Sequence, residues 1–204
     1  MWALVKDGAV VETIMAPKSI TAPDGTVYPA QIFKLWSPEA LRAIGLFPVE
    51  VQKVERPDLH RLTGFENIVE PDRVVRVPLY TPLPLEDAKA RARARINAWK
   101  QGRQDGNFTH DGAEYQCDPR SREFITGASL DAFMAKMAGV PFTIVFTDAT
   151  NTQRTLDADA MIALGRAAKA HVEHWHIQGL AKKEQVEQAV TVGQILTVLA
   201  SLEG

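Results

Sequence analysis

The stretch FTHDGAEYQCDPRSREFITGA, residues 108–128, gathers the chain's only cysteine, Cys117, with His110, Asp111 and Asp118. A thiol near an imidazole and carboxylates is the raw material of nucleophilic catalysis: the imidazole takes the proton, and a helix N-terminus steadies the thiolate. Cys117 does stand directly before Asp118-Pro119, a pair that opens a helix as N-cap and first helical residue. The spacing argues otherwise. Asp111-Gly112 reads as a tight turn between two short β-prone runs, leaving His110 about seven extended residues from Cys117 unless strand pairing returns it. Asp118 is already used as a cap, and no third group stands where it would orient the imidazole. The simpler reading is a hairpin feeding a helix, with a half-buried structural thiol at the junction.

The second cluster is HVEHWH, with His171, Glu173, His174 and His176. His171 and His174 lie on adjacent turns of one helix face, close enough to share a metal ion. His176 points roughly 160° away from His174, so one regular helix cannot bring all three together. The i, i+4 pair of a zinc-protease helix is absent. Metal binding at His171 and His174 would need further ligands, for instance from copies of the chain around an axis. Otherwise these are surface histidines around a core Trp175.

A third group is basic: Lys89, Arg91, Arg93 and Arg95 in KARARARIN. Alternate residues advance about 200° around a helix, so the charges divide between two flanks and form no single stripe. Long cationic stems beside an alanine seam suit a solvated surface or the flanks of a helix–helix contact. The interleaved aromatics of a nucleic-acid groove are missing. There is no glycine-rich phosphate loop, no GxSxG and no carboxylate pair apart from ordinary surface charge. Neither catalysis nor a cofactor is expected.

Composition sets the frame for these clusters. The chain has 204 residues, 46% of them apolar, and a net charge of −2. That is enough for one domain or two small ones with a real core, and it gives no general attraction to nucleic acid or an anionic membrane. One cysteine excludes an intrachain disulfide and suits a reducing compartment. Lys6 and Asp7 fall where a secretion signal would carry apolar residues, and no run reaches the roughly 18 apolar residues of a membrane helix. Folding in a cytoplasm is expected.

Ten of the twelve prolines precede residue 86, which places a boundary near residue 84: a β-rich module over 1–84, then an alanine-rich helical part over 85–204. In the first part, WALVK and AVVETI flank Asp7-Gly8 as a hairpin. PDGTVYPAQIF reads as a turn and an extended segment. Ser37-Pro38 starts a short helix that Gly45 ends, with Trp36 stapled against Leu41. Residues 49–80 read as irregular strands, VVRVPLY the best of them. In the second part, Ala88, Ala92, Ile96 and Trp99 form an apolar seam at helical spacing. The 108–115 hairpin follows, then a helix from Asp118 to about Met137, and PFTIVF as a buried strand. DATNT turns into QRT. Leu156 and Met161 bracket Asp157 at the start of a long helix to about Gln188, and Val190, Thr191, Gln194 and Ile195 form a capping box for the last helix. The expected class is α+β: a small β-rich module, then helix, hairpin, helix, hairpin and two helices.

The run LEDAKARARARINAWKQ through GNFTHDGAEYQCDPRSREFITGA to PFTIVFTDATNTQRTLDADAMIALGRAAKAHVEHWH resembles an uncharacterised domain of tail-region and tail-fibre-assembly proteins of tailed bacteriophages. The matching positions are Ile96, Phe108, Gly112, Tyr115, Asp118, Ser121, Arg122, Ile125, Gly127, Asp148 and His171, within about residues 85–190. ALVKDGAVV and IFKLWSPEALRAIGLFPV are similar to short segments at the start of phage tail proteins. Asp148-Ala149-Thr150-Asn151 is longer than the compact Asp-Asn turn of that pattern, and Cys117 occupies one of its variable positions.

The resemblance implies a non-catalytic structural or adaptor component of a phage tail, near fibre or baseplate, made in the host cytoplasm and carried in the virion. Its partners would be other tail or fibre proteins and further copies of itself, trimers included, with neither nucleic acid nor membrane. A tail-fibre assembly chaperone absent from the finished virion is the alternative, and a metal-binding or thiol enzyme a second one. No catalytic residue carries over. Asp118 and Ser121 read as a cap, and Gly127 as a point of close packing. Contacts with partners are expected at the seam of Ala88, Ala92, Ile96 and Trp99, at the hairpin edges, and at Arg122, which can reach a carboxylate on another element or chain.

Overall fold

Asp7 and Gly8 both adopt positive φ, 51° and 77°, the geometry of a two-residue hairpin turn. They join strand β1 (Trp2–Lys6) to β2 (Ala9–Ile14). The computed structural model describes residues 1–203 and divides into two units, Met1–Leu83 and Pro84 onward. The class is α+β, with strands concentrated in the first unit and helices in the second.

In the first unit a second, minimal hairpin pairs β3 (Ile20–Thr21) with β4 (Val27–Tyr28). The segment expected to continue extended instead closes one helical turn, α1 (Ile32–Leu35). Helix α2 (Pro38–Ala43) starts at Ser37, whose hydroxyl accepts from the Ala40 amide at 3.2 Å. Trp36, expected to staple onto Leu41, is partly exposed, and its ring meets Tyr28 edge-on with centroids 5.3 Å apart. Gly45 ends the helix at φ 82°, and a Cβ there would fall 2.7 Å from the Val5 carbonyl oxygen. Only glycine fits that close approach.

Strand β5 (Leu46–Val51) follows, then β6 (His60–Val69) and β7 (Val74–Pro82). Residues 49–80 are therefore more regular than their prolines predict. β6 and β7 form a long antiparallel hairpin, and β7 also pairs parallel to β5 at Val74–Arg76. Pro78 and Pro82 fall beyond the part of β7 flanked on both sides, where a missing donor breaks no ladder to β5. The five-stranded order is β2-β1-β5-β7-β6. Leu4, Ile14, Ile20, Leu41 and Leu46 are buried together, while Ala3, Val5 and Val74 form a second cluster. The alternation along β1 thus serves two apolar faces.

The second unit begins with α3 (Leu85–Gln104), whose end leads to the hairpin of β8 (Phe108–His110) and β9 (Ala113–Tyr115). Asp111 and Gly112 make its turn at φ 48° and 70°. Helix α4 (Pro119–Ala138) is capped by Asp118 and ends at Gly139 in left-handed geometry. The hairpin of β10 (Thr143–Thr147) and β11 (Gln153–Asp157) turns through Asn151. Only Phe146 of β10 is fully buried and Val145 is exposed, so PFTIVF is not the buried strand its composition predicts. One face of this hairpin packs, through Phe146 against Tyr115 and Phe124. Helix α5 (Ala158–Gln188) starts on the Asp157 cap, and α6 (Val192–Ala200) on the reciprocal Thr191–Gln194 capping box. Phe108, Tyr115, Cys117, Ile125, Met161 and Leu164 belong to the shared core.

Candidate functional site

The α3 seam lies inside this unit. Ala88, Ala92 and Ile96 are fully buried, with α5 and α6 packed on α3. The small side chains of Ala88 and Ala92 let the helices approach, and no external partner can reach the three in this arrangement. Trp99 turns its ring edge to Trp175 of α5, centroids 5.6 Å apart. The expectation of a docking seam at Ala88, Ala92, Ile96 and Trp99 is therefore corrected: periodicity identified a buried face, and the partners are helices of the same chain.

Arg122 is likewise committed within the chain. From the first turn of α4, its Nη1 donates to Asp105 Oδ1 at 2.7 Å, to the Cys117 carbonyl at 2.7 Å and to the Gln104 carbonyl at 3.1 Å. Two of these acceptors lie at the C-terminal end of α3, where carbonyls lack helical partners. Gln104, buried, adds a bond from its amide nitrogen to the Val172 carbonyl of α5 at 2.9 Å. Hydrogen bonds from Gln101 and then from Arg122 hold the Asp105 carboxyl below its ordinary range. Arg122 is thus a clamp between α3, the β9–α4 junction and α4, not a contact offered to another chain.

Beside it, Cys117 is completely buried. Burial raises its thiol above the ordinary value, with Arg122 opposing in part. A protonated, enclosed thiol is a poor nucleophile. His110 stands at the far end of the β8–β9 hairpin, where it is paired with Ala113. Asp118 accepts from the amides of Arg120 and Ser121, and the Ser121 hydroxyl donates to its other oxygen at 2.5 Å. These bonds, the Ser121 hydroxyl foremost, keep the Asp118 carboxyl below its ordinary range. Asp118 is occupied as a cap, as its position before Pro119 predicts.

The histidines of α5 have structural surroundings too. His171 Nε2 is 3.0 Å from the Arg103 carbonyl, and its ring packs against Phe108 and Trp175. His174 meets the edge of Trp175 at 4.9 Å. Among the described residues, no group of three His, Cys, Asp or Glu side chains converges as a metal site.

The basic residues of α3 flank its contact with α5. Lys89 donates to the Glu187 carbonyl at 2.9 Å and Arg93 pairs with the Glu187 carboxylate at 2.6 Å. Both bonds meet the C-terminal end of α5, where cations complement the helix dipole.

The most heavily bonded carboxylate is one that spacing alone marked only as a turn. Asp148 is buried and accepts from the Thr150 and Thr152 amides, each at 2.9 Å, from the Thr150 hydroxyl at 2.7 Å and from Arg154 Nε at 2.9 Å. The Thr150 hydroxyl first, then Arg154, holds it well below the usual carboxylate range. Thr150, one of the extra residues that distinguish DATN from a compact Asp-Asn turn, supplies two of these four bonds. Two glycines carry positional weight that sequence reasoning missed. A Cβ on Gly165 would lie 2.4 Å from Ser129 Oγ, and one on Gly179 2.8 Å from Lys100 Cδ. Gly127, expected to admit a neighbouring element, has nothing within 4 Å of that position.

A groove of about 410 Å³ opens beside the Arg122 clamp, where Gln104 and Arg122 are joined by Lys169, Glu173 and His176 of α5. With Arg122 and Gln104 engaged, its free polar groups come from one face of α5. No helix among the described residues is long and apolar enough to cross a membrane.

A unit of two hairpins between packed helices, with its polar groups used as caps and clamps, defines an α+β domain. The chain belongs to the family described as a domain of unknown function, DUF4376, which matches residues 87–198. No curated protein and no solved structure matches the chain.

Proposed function

We propose that the chain is a non-catalytic structural or adaptor component of a bacteriophage tail, working through protein–protein contacts. The observation that carries the non-catalytic part is the use made of the reactive side chains. Cys117 is enclosed, Asp118 caps α4, Asp148 is caged in a turn and His171 is wedged between α3 and two aromatic rings. Groups so engaged support architecture, because catalysis needs a reactive atom open to substrate. The tail setting rests on the motif resemblance at Phe108, Gly112, Tyr115, Asp118, Ser121 and Arg122. Edge strands β2 and β6 of the first unit's sheet offer main-chain groups to a neighbour.

The second reading, a tail-fibre assembly chaperone, draws on the apolar side chains exposed on α4, since a transient binder keeps such a surface open in the free state. Mass spectrometry of purified, salt-washed virions separates the two. A fixed stoichiometry in the particle is the expected result. Absence from virions together with abundance in infected-cell lysate overturns it in favour of the chaperone.

A further inference from the structure

One cavity of the second unit, about 340 Å³ in volume, gathers polar side chains that the fold does not use. The β8–β9 hairpin contributes His110, Asp111 and Tyr115 to its wall, and β11 and α5 contribute Leu156, Ala160 and Leu164. Strand register sets Phe108 opposite Tyr115 and His110 opposite Ala113. His110 and Tyr115 are therefore diagonal neighbours on one face of the hairpin, with Asp111 at the turn beside them.

Tyr115 is 3% exposed, its ring packed against Phe108 and Phe146 with centroids 5.8 Å from each. Its hydroxyl has no hydrogen-bond partner among the described residues. The fully enclosed polar atoms without a partner are Arg76 Nε and Trp99 Nε1, so the Tyr115 hydroxyl keeps access to the cavity that the residue lines. A tyrosine this deeply buried ordinarily finds a partner for its hydroxyl. The His110 ring and the Asp111 carboxylate have neither a hydrogen bond nor an ion pair among the described residues. Asp118 and Asp148, by contrast, are saturated by their own turns.

The surrounding charges set the sign of what fits. Burial raises the Tyr115 phenol above its ordinary value; Arg154 opposes this, and Asp148 and Asp111 add to it. Arg154 and Asp148 neutralise each other at 2.9 Å, which leaves the Asp111 carboxylate as the uncompensated charge beside the phenol. The start of α5 offers little to an anion, because the Ala160 amide is already bonded to Asp157 at 2.9 Å.

We infer that this cavity binds a small ligand carrying a primary ammonium group on a short aliphatic body. An ammonium donates three hydrogen bonds, and the Asp111 carboxylate, the Tyr115 hydroxyl oxygen and a His110 ring nitrogen are three acceptors for them. The aliphatic body lies on Leu156, Ala160 and Leu164. Few polar groups converging over an apolar floor is the usual build of a small-molecule site. The inference does not rest on a role in a tail.

Titration of the full chain with n-butylammonium chloride at constant ionic strength, followed by amide NMR shifts, tests it. Saturable shifts confined to residues near 110–115 and 156–164 are expected, with the millimolar affinity of so small a ligand. Butyrate, of similar size and opposite charge, should move none of them. Tyr115→Phe keeps the ring, and Asp111→Asn keeps a residue that tolerates the turn. Each should weaken binding about fivefold or more. A wild type without a saturable response overturns the inference. So does butyrate binding as tightly as butylammonium, or full affinity in both variants. Lysine blocked as its Nα-acetyl methylamide separates two sources of the same head group. Competition with butylammonium would show that a lysine side chain of a partner protein can enter, and its failure would restrict the site to free amines; both results sustain the ammonium site.

Discussion

Arg122 Nη1 and Asp105 Oδ1 are 2.7 Å apart, joining the first turn of α4 to the residue that closes α3. The same nitrogen holds two carbonyls, so loss of Arg122 frees a carboxylate and two backbone acceptors together. Both side chains are about three-quarters enclosed, which lifts the pair above a surface salt bridge without making it a deeply buried one. Arg122→Ala is expected to lower unfolding free energy by about 1–2 kcal/mol, and Asp105→Asn by less. A double-mutant cycle by urea denaturation should return a favourable coupling between them. Strict additivity would mean that the pair is incidental.

Cys117 should resist modification in the folded chain. Its thiol is enclosed and shifted toward the protonated form, so a thiol reagent reacts at the rate of local opening and not at that of a free thiol. Labelling is expected to be slow in buffer and immediate in urea. Rapid stoichiometric labelling without unfolding would return Cys117 to consideration as a nucleophile.

Acid should weaken the second unit through Asp148. Its folded carboxyl titrates well below the range of about 3.9 of an unfolded aspartate. Between those two values the unfolded chain binds a proton that the native chain does not, so stability is full above about pH 4 and falls as pH drops through that window. Asp105 and Asp118 are shifted the same way. Urea midpoints from pH 7 downward should fall below pH 4, about the free aspartate value. Asp148→Asn should be less stable at neutral pH and show a shallower acid slope. Parallel profiles would remove Asp148 from the account.

Gly165 sets the spacing of α4 and α5. Alanine there drives its methyl into Ser129, including the Cβ at 2.7 Å, which no rotamer change moves away. Gly165→Ala should cost about 1–3 kcal/mol despite better helix propensity, and adding Ser129→Gly should recover part of it. Gly102→Ala, with open space around it, should instead stabilise by about 0.5–1 kcal/mol. Thermal melts of the three variants give the comparison.

Local chemistry made much of this architecture readable beforehand. Asp-Gly at 7–8 and 111–112, Asp118-Pro119, and Thr191 with Gln194 each encode a turn or cap within a few residues, and each forms as read. What depended on distant partners did not follow from pattern. The β6–β7 ladder looked irregular because proline is read locally, whereas its tolerance depends on which side of β7 carries a neighbour. The α3 periodicity identified a buried face but not what covers it. Arg122 carried a reach and no address, and Asp105, Gln104 and the Cys117 carbonyl come together only after α3 and α4 have packed. Gly127 and Gly165 are indistinguishable by type, yet one faces open space and the other a serine.

The parallel pairing of β5 with β7 has a kinetic consequence. The β1–β2 and β6–β7 hairpins can each close from neighbouring residues, but the sheet becomes continuous only when Val49–Val51 is captured by Val74–Arg76 and by β1. Those closures span long loops, and their entropy must be met before the contacts form. During synthesis the first unit therefore stays incomplete until β7 has emerged, although its opening hairpin is made at once. The later unit closes its two hairpins locally as well, but its longest closure is greater still: α3 must wait for the end of α5, since Lys89 bonds Glu187 98 residues further on.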